Sequence, residues 1–314
     1  MEDRLVVTAA AGLQVHFGTD HDHLADYRPL VTALGLEDTL RSIVSDEVSP
    51  PLRGHFNVYP VEPDPSLPNN GAWTWWTQIP ESTTAMHDAL RERHGPGFVL
   101  QSNHPLDNGM GSAAAWRPGE AEAEYWSERI EAVEVLNGGG GQADYVPFWA
   151  DLVMRGQRVT PVGTSDSHDH FGGAFGLSAT WIRAGFGDSD AAIGEAMRQG
   201  RVVPSLGPFL AVEPAPGADL SAGATVEVEA RSASWARVDR LRLFEDGVEV
   251  EVVEGASATF TLSPAADAVY WLTAEGDAPM QPVSGRTPWA MAGPWRVDAD
   301  GDGFEPPLPP TVLD

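Results

Sequence analysis

The residues of this chain that are best suited to chemistry are histidines and carboxylates, which recur in order through its first half. They lie in five short segments: Thr19-Asp20-His21-Asp22, Glu47, Gly54-His55, Asn103-His104-Pro105 and Asp166-Ser167-His168. Imidazole nitrogens and carboxylate oxygens are typical ligands of Zn²⁺ and Mn²⁺. The chain contains no cysteine, which excludes disulfides, thiol nucleophiles and thiolate metal sites. The series therefore predicts a divalent zinc or manganese centre that carries out hydrolysis.

Several of these residues follow short apolar segments with the pattern of β-strands. We predict strands near residues 13–18, 41–45, 55–61, 98–102, 132–136 and 159–163. We predict helices near 2–11, 29–34, 81–94, 119–129, 145–155 and 188–199, and a long loop over 62–80. Strands that alternate with helices indicate a parallel sheet. Polar residues at the carboxyl ends of such strands are typical of the active face of a βα barrel or an open α/β sheet.

The pattern changes after Gly207, where short alternating segments replace the helical ones. A hairpin with an Asp-Gly turn is predicted within 240–253, and further strands over 224–230, 258–262 and 268–273. These features predict a small antiparallel β-sandwich. We therefore divide the chain into a first domain, 1–207, and a sandwich domain, 208–314, that ends in a proline-rich tail.

The charge of the chain bears on its partners. The formal net charge is -27, and all 19 basic residues are arginines. An acidic chain without a basic stripe is a poor candidate for binding nucleic acid or an anionic membrane, so a small-molecule substrate is expected. The first residues lack the apolar region of a signal peptide, which predicts a cytoplasmic protein. A gene product that extends further upstream could instead be secreted or periplasmic, and composition does not define the oligomeric state.

The joint order of five motifs resembles the polymerase and histidinol phosphatase (PHP) metallohydrolases, in particular their CehA/McbA-like branch. The matching segments are Thr19–His23 (TDHDH), Asp46–Asn57 (DEVSP and RGHFN), Ser102–Pro105 (SNHP), Val133–Asn137 (VEVLN) and Gly163–His168 (GTSDSH). The resemblance covers roughly residues 1–210 and is weaker beyond them. Each motif alone is weak, whereas their order is specific.

The resemblance implies a distorted (β/α)₇ barrel with one to three metal ions at the carboxyl ends of its strands. Carried over by position, it implies that Glu47, His55 and His104 hold one ion, and that Glu47 bridges to a second ion bound by Asp166. His21 and His168 would belong to a third ion. Glu47, Asp166 and His168 are the implied catalytic residues, with Asp166 or His168 steering a second metal or passing a proton to the leaving group.

One motif of the family is missing from this chain. Family members begin with a His-x-His motif on a first strand, and His16 is the only histidine ahead of His21. The resemblance therefore implies a barrel without its first strand, which would expose sheet edges. This leaves two alternatives: a chain that binds fewer ions and is catalytically impaired, or a gene product that begins further upstream.

Further residues are candidates for supporting the ligands or contacting the substrate: Asp20, Asp22, His23, Arg53, Glu134, Asn137 and His170. Tryptophans 73, 75 and 76 could cover a substrate or simply hold their loop to the protein. The predicted function is hydrolysis by a metal-activated water of a phosphoester, a carboxylester or a carbamate. The alternative is an impaired PHP-like barrel that serves as a metal-binding, carbohydrate-binding or protein-binding module.

Overall fold

The computed structural model describes residues 1–51, 53–77, 81–107, 110–113, 116, 118, 126–138, 145–168 and 176–310. The α-helices in this part of the chain are α1 (Glu2–Ala10), α2 (Arg28–Ala33), α3 (Thr83–His94), α4 (Val146–Met154) and α5 (Asp190–Arg198). Each of these helices had been predicted to within two residues at either end. The helix predicted over 119–129 lies mostly outside the described residues. None of the helices in the described ranges has the length and apolarity needed to cross a membrane.

Helix α3 illustrates how local sequence sets the ends of these elements. The Ser82 hydroxyl accepts a hydrogen bond from the Ala85 N–H at 3.1 Å and so caps the start of the helix. The helix ends at Gly95, whose φ of +78° is readily adopted only by glycine. The long loop before α3 contains two short 3₁₀ turns, Pro68–Gly71 and Trp75–Thr77.

The first half of the chain contains strands β1 to β9. Their bounds are β1 (Val15–Gly18), β2 (Arg41–Val44), β3 (Asp46–Val48), β4 (Phe56–Tyr59), β5 (Val99–Ser102), β6 (Ala132–Asn137), β7 (Thr160–Thr164), β8 (Ser178–Ile182) and β9 (Val202–Leu206). Strands β1 and β2 form a parallel pair, and β3-β4-β5-β6-β7 form a separate five-stranded sheet.

The second half contains strands β10 to β17. Their bounds are β10 (Phe209–Glu213), β11 (Asp219–Ser221), β12 (Ala224–Arg231), β13 (Arg240–Glu245), β14 (Val248–Glu254), β15 (Ser257–Leu262), β16 (Ala268–Glu275) and β17 (Trp289–Asp298). Strands β10-β12-β15 form one sheet, and β14-β13-β16-β17-β9-β8 form another, in which β11 also pairs with β17. The second sheet therefore joins strands from before and after residue 207.

The expectation of an α/β fold with a distorted (β/α)₇ barrel is wrong. Within the described residues the strands form several separate sheets that do not close, and the architecture is mostly β. Strands β5, β6 and β7 are parallel as expected, but β3 pairs with β4, and β4 with β5, in antiparallel fashion. Only residues 49–55 join β3 to β4, whereas a parallel crossover needs about a dozen residues. Strands β8 and β9 are also antiparallel, and β9 pairs with β17.

The C-terminal half forms an antiparallel β-sandwich, as the alternating segments indicated. Along β12 the buried residues Val226, Val228 and Ala230 alternate with exposed ones, so one face of the strand meets the sandwich core. Strand β16 is buried on both faces. Trp271 on its outer face lies 5.6 Å from the Trp149 ring of α4, which attaches the first half of the chain to the sandwich.

Candidate metal centre

Glu47, in the middle of β3, is a buried carboxylate that lies between imidazole rings. Its Oε1 atom is 3.1 Å from Nδ1 of His55 and 4.0 Å from Nε2 of His104. Its Oε2 atom is 3.7 Å from Nε2 of His21. Asn103 also donates its amide to Oε1 at 3.2 Å. One carboxylate thus faces three histidines from different parts of the chain.

The spacing of these donor atoms is close to that of a tetrahedral metal site. Donor atoms of His21, Glu47 and His55 lie within 4.8 Å of one another. Zinc–ligand bonds of 2.0–2.1 Å place neighbouring tetrahedral ligands about 3.3 Å apart. The separation of His55 from Oε1 of Glu47 and that of His21 from Oε2 are each within half an ångström of that value. The His104 ring, 5.0 Å from the His55 ring, offers a further nitrogen beside them.

His21 reaches Glu47 because its segment runs parallel to β3. The Glu47 N–H donates to the Asp20 carbonyl at 3.3 Å, and the Asp22 N–H donates to the Glu47 carbonyl at 3.0 Å. These bonds continue the parallel pairing of β1 and β2 beyond the ends of both strands. His21, which follows β1 in the chain, therefore lies beside Glu47 of β3.

The hydrogen bonds around His21 favour the tautomer that carries its proton on Nδ1. The Ser49 hydroxyl donates its single proton to the Glu47 carbonyl at 3.1 Å. A hydroxyl that donates there accepts from Nδ1–H of His21, which lies 2.6 Å away. In the neutral ring this leaves a lone pair on Nε2, facing the Glu47 carboxylate. A lone pair opposite an anion is repulsive, and a proton, a bridging water or a metal cation between them relieves that repulsion.

His55 is positioned by a glycine that the fold requires. Gly54 has φ +98°, and a Cβ at this position would lie 2.6 Å from the backbone nitrogen of Ser112. The His55 N–H donates to the Met110 carbonyl at 3.0 Å, and its carbonyl accepts from the Asn103 N–H at 3.0 Å. A residue with a side chain at position 54 would therefore displace the loop that carries the ligand.

His104 and Asp166 both follow strands of the five-stranded sheet and both have left-handed backbone conformations. Their φ values are +27° and +47°, and Asp22 has φ +54°. Such conformations are unfavourable for residues other than glycine and persist where the surroundings hold them. Nδ1 of His104 is buried without a hydrogen-bond partner among the described residues. Burial lowers the pKa of His104, and the nearby His55 adds to this effect, so the ring favours its neutral, ligand-competent form.

Asp166 and His168 stand at the more exposed side of the cluster. The His168 Nδ1–H donates to the Asp166 carbonyl at 3.2 Å, which leaves its Nε2 available as an acceptor or ligand. The His168 ring lies 5.8 Å from that of His21, whose ring in turn lies 5.4 Å from that of His55. The imidazoles thus extend from the buried His104 to the exposed His168.

The pKa values of the buried carboxylates Glu47 and Glu134 shift in opposite directions. Burial raises the pKa of Glu47, but the hydrogen bond from His55 and the charges of the neighbouring histidines outweigh it, so the pKa lies below its usual range. Burial raises the pKa of Glu134 to about 7, although the Thr164 hydroxyl and the Asn137 amide donate to it and oppose the shift. Glu47 is therefore held as an anion at neutral pH.

A cavity of about 490 Å³ opens beside the cluster. Its polar end is lined by Asp20, His21, Glu47, Asp166 and His168. Its inner end, between β1 and β8, is lined by apolar side chains that include Phe17, Ile182 and Met197. The volume suits a small organic molecule.

The other residues named from the sequence lie around this centre in different ways. Asp20 accepts from the Tyr27 hydroxyl at 2.7 Å, and Asp22 accepts from the Ser49 N–H at 3.1 Å. His23 is exposed, 3.3 Å from the Asn70 amide, and Arg53 lies in the turn before His55. The structure does not bring these two side chains to Glu47, and His170 lies outside the described residues.

Two neighbours of the centre were not identified from the sequence as site residues: Ser49, which contacts Nδ1 of His21, and Asn103, which bonds Glu47. Trp75, one of the tryptophans named on the long loop, donates its Nε1 to Asp22 at 2.8 Å and so ties that loop to the site. Ser49 and Asn103 are each within two residues of a named ligand, and that adjacency was the only signal. The Trp75 contact joins positions that are far apart in the chain, which no local pattern reveals.

A second acidic group lies in the sandwich. Carboxylate oxygens of Asp267, Asp298 and Asp300 lie within 4.8 Å of one another. Backbone N–H groups already satisfy them: Ala299 donates to Asp267 and Gly301 donates to Asp298, both at 2.7 Å. This arrangement is that of an acidic turn.

Comparison with known proteins adds little to this description. No family model matches the chain, and no curated protein matches it. Among solved structures, the chain is similar to the fibronectin(III)-like modules of Clostridium thermocellum CbhA, at 13% identity and a TM-score of 0.20. That match covers 29% of this chain and 94% of the other. A TM-score this low carries no argument, so the function has to be argued from the centre itself.

Proposed function

We propose that this protein is a metal-dependent hydrolase that binds Zn²⁺ or Mn²⁺ at Glu47, with His21 and His55 as its nearest partners. The observation that carries the proposal is the orientation of His21. Its Nε2 lies 3.7 Å from a buried carboxylate oxygen, and with Ser49 accepting from Nδ1–H a lone pair on Nε2 faces that oxygen. A divalent cation between them would turn a repulsive contact into two ligand bonds.

The composition of the site supports hydrolysis over a purely structural metal. Structural zinc sites are usually closed by four protein ligands, most often cysteines. Here the chain has no cysteine, and His21 and His168 are exposed beside an open cavity. A cation in this position would supply Lewis acidity and an acidified water near neutral pH.

The remaining residues would handle the substrate and the proton. His168 and Asp166, at the rim, are positioned to hold a second cation or to pass a proton to the leaving group. The scissile group would be a phosphoester, a carboxylester or a carbamate. The order of the sequence motifs supports the same class of chemistry.

The test is hydrolysis of simple chromogenic substrates by chelator-treated protein with and without added metal. We expect added Zn²⁺ or Mn²⁺ to restore turnover of p-nitrophenyl phosphate or a p-nitrophenyl ester, and Glu47→Gln to lower it at least a hundredfold. The control is His94→Gln, which changes an imidazole on α3 outside the cluster. Metal binding without turnover would favour a metal-binding module, and equal turnover by Glu47→Gln would overturn the proposal.

A further inference from the structure

Glu134 on β6 is a buried carboxylate that is hydrogen-bonded to the His104 loop and, through Asn137, linked to Asp166. It is 2% exposed, and both of its oxygens accept hydrogen bonds. Oε2 accepts from the His104 N–H at 2.5 Å and from the Asn137 amide at 3.1 Å, and Oε1 accepts from the Thr164 hydroxyl. We propose that Glu134 is a positioning residue, which fixes the loops of His104 and Asp166 without itself binding the metal. This inference rests on the proposed function.

The bond to His104 holds a strained ligand. With φ +27°, the backbone of His104 lies outside the region that its side chain prefers. The Glu134 oxygen that accepts from the His104 N–H lies 2.5 Å away and is itself held by the Asn137 amide. Glu134 therefore stabilises the backbone conformation that directs the His104 ring toward Glu47.

The connection to Asp166 runs through Asn137 at the end of β6. Its amide nitrogen lies 3.1 Å from the Glu134 carboxylate and 3.1 Å from Oδ2 of Asp166, so it can give one proton to each. Thr164, at the end of β7, donates to the other Glu134 oxygen. One carboxylate thus joins the ends of three neighbouring strands, β5, β6 and β7.

This role predicts an unusual difference between two substitutions. In Glu134→Gln the amide oxygen can still accept from His104 and Asn137, and the amide NH₂ can donate to the Thr164 hydroxyl, which can reverse its direction. The geometry survives while the charge is lost. Glu134→Leu removes every acceptor. A metal ligand or catalytic base would need the charge, so both substitutions would then be equally damaging.

The experiment measures zinc affinity by competition with a chromogenic chelator and, in metal-free protein, hydrogen exchange of the His104 amide. We expect Glu134→Leu to weaken zinc binding 10- to 100-fold and to accelerate His104 exchange at least tenfold. We expect Glu134→Gln to stay within threefold of the wild type in both. The matched control is Glu131→Leu, which removes a carboxylate that accepts from the Leu100 N–H at 3.2 Å at the far end of β6.

Each outcome decides the inference. Equal loss in the Gln and Leu variants would overturn it in favour of a charged role, and so would a loss of zinc affinity in the control as large as in Glu134→Leu. Unchanged His104 exchange in Glu134→Leu would overturn it as well. If the wild type binds no zinc, the proposed function fails, and the exchange measurement alone then shows whether Glu134 holds the His104 loop.

Discussion

The substitution Ser49→Ala tests the orientation of His21 with the least disturbance to the fold. It removes one hydroxyl, which lies 2.6 Å from Nδ1 of His21 and donates to the Glu47 carbonyl. The ring then loses the acceptor that holds its proton on Nδ1. Without that acceptor, the His21 ring can rotate, or it can carry its proton on Nε2, where the proton competes with the metal.

The size of the effect follows from the exposure of the ring. Loss of a partner that orients a ligand usually weakens metal binding 10- to 100-fold. The His21 side chain is 43% exposed, so water can replace part of the lost bond. The expected loss is therefore at the low end, about tenfold or about 1.4 kcal/mol, close to the net value of one hydrogen bond.

The assay is zinc affinity at pH 7, measured by competition with a chromogenic chelator. The matched control is Ser42→Ala, which removes a hydroxyl 3.1 Å from Nδ1 of His16, an imidazole outside the cluster. We expect the control to bind zinc like the wild type. Unchanged affinity in Ser49→Ala, or an equal loss in Ser42→Ala, would refute the reasoning.

Three further predictions concern the framework. Gly54→Ala should lower the free energy of unfolding by about 1–3 kcal/mol and weaken zinc binding, because Gly54 has φ +98° and an added Cβ would meet the Ser112 backbone. An unchanged urea unfolding curve would contradict this. Trp271→Ala should lower the free energy of unfolding in urea by about 3–5 kcal/mol, because Trp271 is buried. Trp235 is exposed, so Trp235→Ala should lower it by under about 0.5 kcal/mol, and equal losses would contradict the packing of Trp271. Burial and the Arg91 guanidinium lower the pKa of His87 to about 4, so the stability that this neutral ring contributes is complete above pH 6.5 and is lost as the pH falls toward 4. Relative to His87→Gln, the wild type should lose about 2 kcal/mol between pH 7 and pH 5, and a constant difference would show that the ring does not titrate in this way.

Local patterns in the sequence predicted the helices of the described residues and many strands, because amphipathic spacing and caps are properties of short segments. They missed β17, the long strand Trp289–Asp298, because Gly293-Pro294 interrupts it and its buried residues do not alternate. They also missed the direction of pairing. The antiparallel arrangement of β3, β4 and β5 depends on which strands meet in space, which the order of helices and strands did not specify.

The same difference between local patterns and contacts of distant segments applies to the candidate centre. The sequence named Glu47, His21, His55 and His104, and these side chains lie together in the structure. Their metal binding stays a prediction. The residue types were informative because few other side chains ligate metals. The contact of His21 with Ser49 could not be predicted, because it depends on a side-chain orientation set by parallel pairing of distant segments.

The most direct test of the central claim is an anomalous difference map from crystals of the protein soaked in Zn²⁺ and measured at the zinc edge. We expect a peak about 2.0–2.2 Å from a Glu47 oxygen and from imidazole nitrogens of His21 and His55. We also expect the peak to be lost in Glu47→Gln crystals soaked in the same way. A map without a peak at Glu47 in the wild type, with direct His–Glu hydrogen bonds in its place, would contradict the account.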